Sequence, residues 1–431
     1  MTSRTKIRIK EPLPLVGLFF FLALTLVLPS RIWMTLLIGL GGAYLLSFIW
    51  VRQLSKGLKG SRRLRFGWVA VGDRLSEEFE ITNESSLPAL WVEVVDHSNV
   101  PGYEVGVVRS VRGKGAEQWR QSAICHQRGQ YRLGPWELIS ADPFGFFQVS
   151  VLLEGSNDII IHPPIHTQVP IPLPAGTSSG RVRARARSWQ ATINAAAVRE
   201  YHHNDPLSWI HWPTTARREQ LYTRQFDLDA AGDIWLLLDL QEDSQLGEGQ
   251  DGTEEHAVLL AAALAAQGIE QNRPIALAAY GQQPQLVPPA RGQGQQWNLL
   301  RSLALVKADG RIDLSMALQD LSHLVKQGSA LLIITPSQEV VWLANLLDLV
   351  HRGIRCHVSL LNRETFVGEG DHIGGSSAAL CESVRRLGIE CSLISRGEVG
   401  RPSEIQKRGF WDFKVTGTGK VVAVRSPFDQ F

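Results

Sequence analysis

The sequence predicts a multi-domain chain: an N-terminal two-helix transmembrane hairpin, a β-sandwich domain of immunoglobulin-like architecture, and a doubly wound α/β domain. Three observations predict it. Two uncharged apolar runs lie side by side near the N-terminus. Period-two alternation then runs to about residue 163, and from about residue 233 short apolar runs alternate with helical ones. At 431 residues the chain exceeds what one compact domain usually holds.

The hairpin comes first. LPLVGLFFFLALTLVLPS (13–30) and IWMTLLIGLGGAYLLSFIWV (32–51) carry no charge, and each has about the length a helix needs to cross a hydrocarbon core of roughly 30 Å. Only Arg31 separates them, and Pro29 cannot continue the first helix, so the turn is tight. A signal peptide would end in a small-residue cleavage site and would not run at once into a second span. Arg4, Lys6, Arg8 and Lys10 precede the hairpin, and Arg52, Lys56, Lys59, Arg62, Arg63 and Arg65 follow it. By the positive-inside rule both ends stay in the cytoplasm, which gives a two-pass protein of the cell membrane with a cytoplasmic N-terminus and main body.

The β-region is read from alternation. LSEEFEITNES alternates apolar and polar residues and ends in a turn, and ALWVEVVD, YEVGVVRSV, GQYRLGPWELIS, FGFFQVSVLL and DIIIHP continue the pattern. Gly, Pro, Asn and Asp punctuate the runs about every ten residues, the rhythm of a sandwich. RGQYRLGP and ADPFGFF read as turn-strand phrases, and nothing here resembles a catalytic constellation. The proline-rich stretch from Pro163 to Gly180 reads as an extended linker. It is followed by Arg181, Arg183, Arg185 and Arg187, which an extended chain points to one side, as a solvated edge or a contact for an acidic partner or anionic lipid.

The α/β reading starts at DIWLLLDL (233–240), an apolar run suited to a strand buried on both faces. IALAAYG, ALLIITPS, RCHVSLLN and CSLISRG repeat it, with amphipathic helical runs between, and WDFKVTGTGKVVAVRSP adds two strands near the end. Ligands of such sheets sit beyond the carboxyl ends of the strands, which directs attention to Asp239. No G-x-G-x-x-G or P-loop pattern is present, so a nucleotide site is not expected.

Composition narrows the function classes further. Hydrophobic residues make up 44% and charged residues 20%, a mixture that folds. The net charge of +2, from 44 basic and 42 acidic residues, lacks the excess of a nucleic-acid binder. The four cysteines, Cys125, Cys356, Cys381 and Cys391, form no C-x-x-C pair. Neither a zinc site nor a disulfide framework is expected, and a reducing compartment fits.

One stretch concentrates reactive residue types: VREYHHNDPLSWIHWPTTARREQLYTRQF, 198–226. Adjacent His202 and His203 point apart in a strand and sit about 100° apart on a helix, so they rarely bind one ion, and the spacing fits no zinc signature. A triad of Ser208, His211 and Asp205 lacks a nucleophile elbow. The structural reading makes Asp205 an N-cap with Pro206 at the first helical position, puts Trp209 and Trp212 on one helix face, and makes LYTRQFD a strand.

The same stretch carries a resemblance. Arg199-Glu200-Tyr201, Asn204-Asp205, Ile210-His211-Trp212 and Ala216-Arg217 resemble the signature of the domain of unknown function 58 family, as do NESSLP, RGQYRLGP and ADPFGFF. Asn204 stands where the family usually has glycine. The resemblance implies a transmembrane hairpin, a β-domain and a von Willebrand factor A-like domain. It also implies association with MoxR-type AAA+ ATPases. The expected divisions are a cytoplasmic N-terminus (1–12), hairpin (13–51), β-sandwich (60–163), linker and basic segment (164–197), and motif with A-like domain (198–431). Arg199, Glu200, Tyr201, Asp205, Ile210, Trp212, Ala216 and Arg217 form the structural or partner-binding motif.

Many A domains bind Mg²⁺ through Asp-x-Ser-x-Ser after the first strand, with oxygen ligands in octahedral array. The matching positions are Asp239, Gln241 and Asp243, with both serines gone, and Thr335-Pro336 stands where an acid is common. No cofactor is therefore expected, with a degenerate Mg²⁺ site as the exception. The leading expectation is a non-enzymatic, membrane-anchored scaffold that docks a protein partner, a MoxR-type ATPase, in assembly or maturation of other proteins. The alternatives are a hydrolase using His211, Asp205 and Asp239, and a metal-dependent ligand-binding protein acting through Asp239.

Overall fold

The computed structural model describes residues 3–64, 69–166, 169–174, 195–202, 207, 210–226, 232–367, 375–400, 411–415 and 421–425. Strand β1 (Ser3–Ile9) precedes helices α1 (Leu13–Val27) and α2 (Arg31–Gly57), which pack together. The Ser30 hydroxyl caps α2 by accepting from Ile32 N–H at 3.3 Å. At 27 residues α2 is long and apolar enough to cross a membrane. Helix α1, expected to be a full span, has only 15 residues. Neither helix holds a one-sided apolar stripe: Phe19, Phe20, Leu26, Ile32, Ile38 and Leu46 are all exposed. Helix α2 also outruns the expected limit at residue 51, because its last turns belong to the next domain, where Val51 and Leu54 are fully buried.

That domain contains β2 (Leu58–Leu64), β3 (Val69–Ala70), β4 (Arg74–Asn83), β5 (Ala89–Asp96), β6 (Val107–Val111), β7 (Gly115–Ile124), β8 (Gly129–Leu133), β9 (Trp136–Ala141), β10 (Phe147–Leu153) and β11 (Asn157–His162). They form one five-stranded sheet, β1-β10-β9-β5-β6, and two three-stranded sheets, β2-β4-β7 and β3-β11-β8. The β-domain is as expected, but this partition does not establish an immunoglobulin strand order. The N-terminal residues, expected to be a separate tail, supply its edge strand: β1 pairs antiparallel with β10, Ser3 opposite Leu153 and Ile9 opposite Phe147. Alternation in β4 and β10 sends every second residue inward, where Phe79, Trp119 and Trp136 meet in one aromatic core. Buried Arg62 clamps the layers, bonding Glu77 of β4 at 2.6 Å and Asp96 of β5 at 2.8 Å.

Beyond β11 the chain was expected to be free linker. Its first part is instead pinned, with Ile171 and Leu173 buried in the core of the α/β domain. The arginines at 181–187 lie outside the described residues. Next, β12 (Ala195–Glu200), α3 (Trp212–Arg218) and β13 (Tyr222–Phe226) form the motif unit. The α/β domain follows with β14 (Ile234–Leu238), α4 (Thr253–Glu270), β15 (Ile275–Ala279), β16 (Gln285–Ala290), α5 (Gln293–Leu305), α6 (Leu314–Ser322), β17 (Ala330–Thr335), α7 (Trp342–His351), β18 (Arg355–Leu361), α8 (Ser377–Arg386) and β19 (Glu390–Ile394).

Its sheet runs β16-β15-β14-β17-β18-β19, parallel throughout except for β16. Leu236 and Leu238 face α4 and α5, while Trp235 and Leu237 face α6, α7 and α8. Burial on both faces is why these strands read as unbroken apolar runs. Strand β16 was missed because it contains Pro288 and Pro289, which only an edge strand tolerates. The expected terminal pair is present as β20 (Trp411–Val415) and β21 (Val421–Arg425). One expectation is overturned: Cys381 on α8 and Cys391 on β19 form a disulfide, because the α8–β19 turn brings their Cα atoms to 5.7 Å.

The β-domain docks on the α4–α5 side. Arg128 enters the seam and donates to the carbonyls of Leu303 (3.0 Å) and Val306 (2.9 Å) while pairing with Glu254 at 2.5 Å and with Glu255. These bonds hold the α/β domain against the β-domain.

Candidate functional site

In this strand order the connections from β14 and β17 leave toward opposite faces, the topology in which ligands of a doubly wound sheet usually sit beyond the carboxyl ends. Asp239 lies there, 3% exposed. Its Oδ2 accepts from Thr335 Oγ1 at 2.6 Å and its Oδ1 from Gln241 N–H at 3.2 Å. Thr335 Oγ1 accepts in turn from Ser337 N–H at 2.9 Å. Gln245 Nε2 donates to the Asp239 carbonyl at 3.0 Å, and Gln245 Oε1 accepts from Thr253 Oγ1 at 2.7 Å. Gly310 closes the floor, and a Cβ there would lie 2.3 Å from Tyr280 O, so only glycine fits.

Burial pushes the Asp239 carboxyl above the ordinary carboxylate range. The Thr335 and Gln241 bonds oppose that, while nearby Glu339 and Asp313 add to it. Arg363, a basic group at this end of the sheet, donates instead to the Ser244 carbonyl at 3.2 Å. Val340 and Val341, 62% and 67% exposed, follow Glu339 at the rim.

The residues expected for Mg²⁺ divide. Both Asp239 oxygens already hold donors, Gln241 contributes its backbone N–H, and Asp243 is exposed in the short turn Glu242–Ser244. Among the described residues no group of three His, Cys, Asp or Glu is placed to hold a metal.

The motif is a two-stranded ribbon carrying a helical excursion. Arg199 sits opposite Thr223 and Glu200 opposite Tyr222. Tyr201 N–H bonds Leu221 O at 2.8 Å, and Ile210, 5% exposed, bridges to Thr223. Helix α3 begins at Trp212 with His211 as its N-cap, while the expected cap Asp205 and helix start Pro206 lie outside the described residues. His211 Nδ1 lies 2.8 Å from Thr214 Oγ1. Thr215 Oγ1 accepts from Tyr222 N–H at 3.1 Å, and the Arg218 guanidinium lies over the Tyr222 ring. Asp205, Ser208 and Trp209 lie outside the described residues. His211 is thus engaged as a cap. Leu207, Trp212 and Leu221 are 69%, 65% and 44% exposed, and Ala216 and Arg217 are also exposed. The sequence reading placed Trp212 in packing; its exposure was not anticipated.

Comparisons with known proteins bear on this region. Residues 197–351 match the family model described as "Protein of unknown function DUF58". "Uncharacterized protein YeaD" of Bacillus subtilis (strain 168) is 29% identical over 115 residues, 27% of this chain and 27% of that protein, so the chain matches about a quarter of the relative's length. Two solved structures overlap the fold at 10% identity: proximal thread matrix protein 1 from the mussel byssus, covering 37% of this chain and 47% of that one with a TM-score of 0.25, and a von Willebrand factor type A protein from Catenulispora acidiphila, covering 36% and 41% with a TM-score of 0.23. Overlaps this small do not assign the fold, which is carried here by strand order and direction.

Proposed function

We propose that this chain, whose residues 197–351 match the DUF58 family model, is a membrane-anchored, non-catalytic adaptor whose α/β domain docks a protein partner. The observation that carries the reading is the surface of the motif. Leu207, Trp212 and Leu221 stand exposed beside Arg217, and buried Trp and Arg anchors dominate partner binding in protein interfaces. The partner is a MoxR-type AAA+ ATPase, which the family resemblance implies, acting in assembly or maturation of other proteins. The α/β domain is of the von Willebrand factor A kind, with exposed Val340 and Val341 as a second contact at its strand ends.

The anchor is the α1–α2 pair. Strand β1 and the end of α2 both lie in the β-domain, so the hairpin leaves and returns to one face of the body. The basic flanks set that face to the cytoplasm, which makes the protein two-pass. The test uses the full chain purified in detergent micelles and titrated with a purified MoxR-type ATPase. Trp212→Ser combined with Arg217→Glu is expected to weaken binding at least tenfold, about 1.4 kcal/mol, with unchanged thermal unfolding. Binding that survives the double substitution moves the docking surface elsewhere. No binding by the unaltered chain ends the ATPase reading.

A further inference from the structure

The phrase ADPFGFF has so far served only as a turn between β9 and β10, yet its geometry asks for more. Asp142, 3% exposed, builds the turn: its carboxylate accepts from Phe144 N–H at 2.9 Å and Phe147 N–H at 2.6 Å, and its carbonyl from Gly145 N–H at 3.1 Å. Gly145 takes the positive φ of +75° that the reversal requires. The result is a rigid loop that holds Phe144 outward, 61% exposed, when its neighbour Phe147 is buried. Phe144 stacks on Phe146 with centroids 5.7 Å apart. Phe146 in turn lies 5.9 Å from the ring of Tyr44 on α2.

The loop also meets the start of the hairpin. Lys10 N–H donates to Phe146 O at 2.9 Å, three residues before α1 begins. The exposed Phe144 ring and the half-buried Phe146 ring it stacks on therefore stand level with the base of both apolar helices. Beside them β1 presents Lys6 and Arg8 on its outer face, along with Arg4, which pairs with Glu154 at 2.7 Å, because their partners across the strand, Leu152, Ser150 and Gln148, alternate with the inward Val151 and Val149.

We propose that the Phe144–Phe146 turn is an interfacial membrane wedge. The rings enter the headgroup and upper acyl region beside the hairpin, while the cationic face of β1 meets anionic lipid headgroups. This rests on the membrane-anchor reading of α1 and α2 and deepens it: the β-domain lies on the bilayer instead of hanging from a tether. The occupant is a lipid surface because the rings are continuous with an apolar hairpin and flanked by basic side chains. Aromatic rings next to cations are the composition of a membrane–water interface. Helix α1 is short for a span, and a wedge that draws the base of the hairpin into the interface brings its 15 residues closer to the hydrocarbon thickness.

The experiment places the photo-reactive residue p-benzoylphenylalanine singly at positions 144, 20 and 108 of the full chain. Each variant is reconstituted in vesicles of phosphatidylethanolamine and phosphatidylglycerol and read by mass spectrometry of the cross-linked peptides. Position 20 reports the exposed face of α1, and position 108, 61% exposed on β6 at the opposite edge of the sheet, reports a surface away from the hairpin. Lipid adducts are expected at 144 and 20 and not at 108. Adducts at 20 without any at 144 overturn the wedge and leave the anchor standing. No lipid adduct at either position overturns both. A protein–protein adduct at 144, to a second copy or another chain, also overturns the wedge. The same label at Pro143, exposed in the same turn, repeats the test should the variant at 144 fail to fold.

Discussion

Glu77 in the β-domain and Asp239 in the α/β domain are equally hidden, at 1% and 3% exposure, and are answered in opposite ways. Glu77 receives both arms of Arg62 at 2.8 and 2.6 Å, and the Tyr103 hydroxyl also donates to it. Burial alone would lower the Arg62 pKa, but Glu77 and Asp96 outweigh it and hold the guanidinium firmly charged. Burial and the neighbouring Glu77 together raise the Tyr103 phenol, which stays a donor. Asp239 has only a hydroxyl and an amide. One cluster is closed, with its charge balanced inside the fold and two sheets clamped by it. The other meets only neutral donors among the described residues, so its charge is not balanced inside the fold. The two buried carboxylates thus differ in what sits opposite them, a cation for one and neutral donors for the other.

The comparison can be broken at its closed end first. Arg62→Met strands Glu77 and Asp96 without their cation, so denaturant unfolding of the β-domain should show a loss of about 3–5 kcal/mol. A loss under 1 kcal/mol would mean that the cluster is hydrated and not closed. At the open end, Thr335→Val removes the hydroxyl donor and should cost about 1–3 kcal/mol, the penalty for an unmet buried acceptor.

The smallest effect is the most specific. A carboxyl raised by burial is neutral in folded and unfolded states well below its ordinary value of 3.8, where its burial costs no charge. As the pH rises through that value the unfolded carboxyl ionises first, so stability falls until the folded carboxyl ionises too. Asp239→Asn removes this slope. The variant should gain on the unaltered chain between acid and neutral pH by roughly 1.4 kcal/mol per unit of the raised pKa. A difference that does not vary with pH would show that Asp239 is already solvated or paired.

The α/β domain was legible because burial on both faces writes itself as whole apolar runs, as in Ile234–Leu238 and Ala330–Thr335. Asp239 followed from the end of the first run. Thr335 as its donor did not, since only the folded sheet sets β14 beside β17. In the β-domain, Arg74–Asn83 was plain from its alternation. Ser3–Ile9 was hidden because an exposed edge strand buries nothing and its cations match those expected at a membrane flank. The Cys381–Cys391 bridge was equally invisible, since spacing alone does not report the approach of two Cα atoms.

The pairing of β1 with β10 also makes the anchor a load-sharing clasp. The hairpin is fastened at both of its ends, by a run of backbone bonds along β1 and by the last turns of α2 sunk in the core. Force applied at the membrane, as when a partner pulls on the α/β domain, reaches the β-domain along two routes. The first runs through the β1–β10 hydrogen bonds, and the second through the packed end of α2. Arg128 and its carbonyl and carboxylate partners then pass the same force across the seam. On the proposed anchoring the body is held to the hairpin at two points, so a docked partner would be presented at a set height and heading.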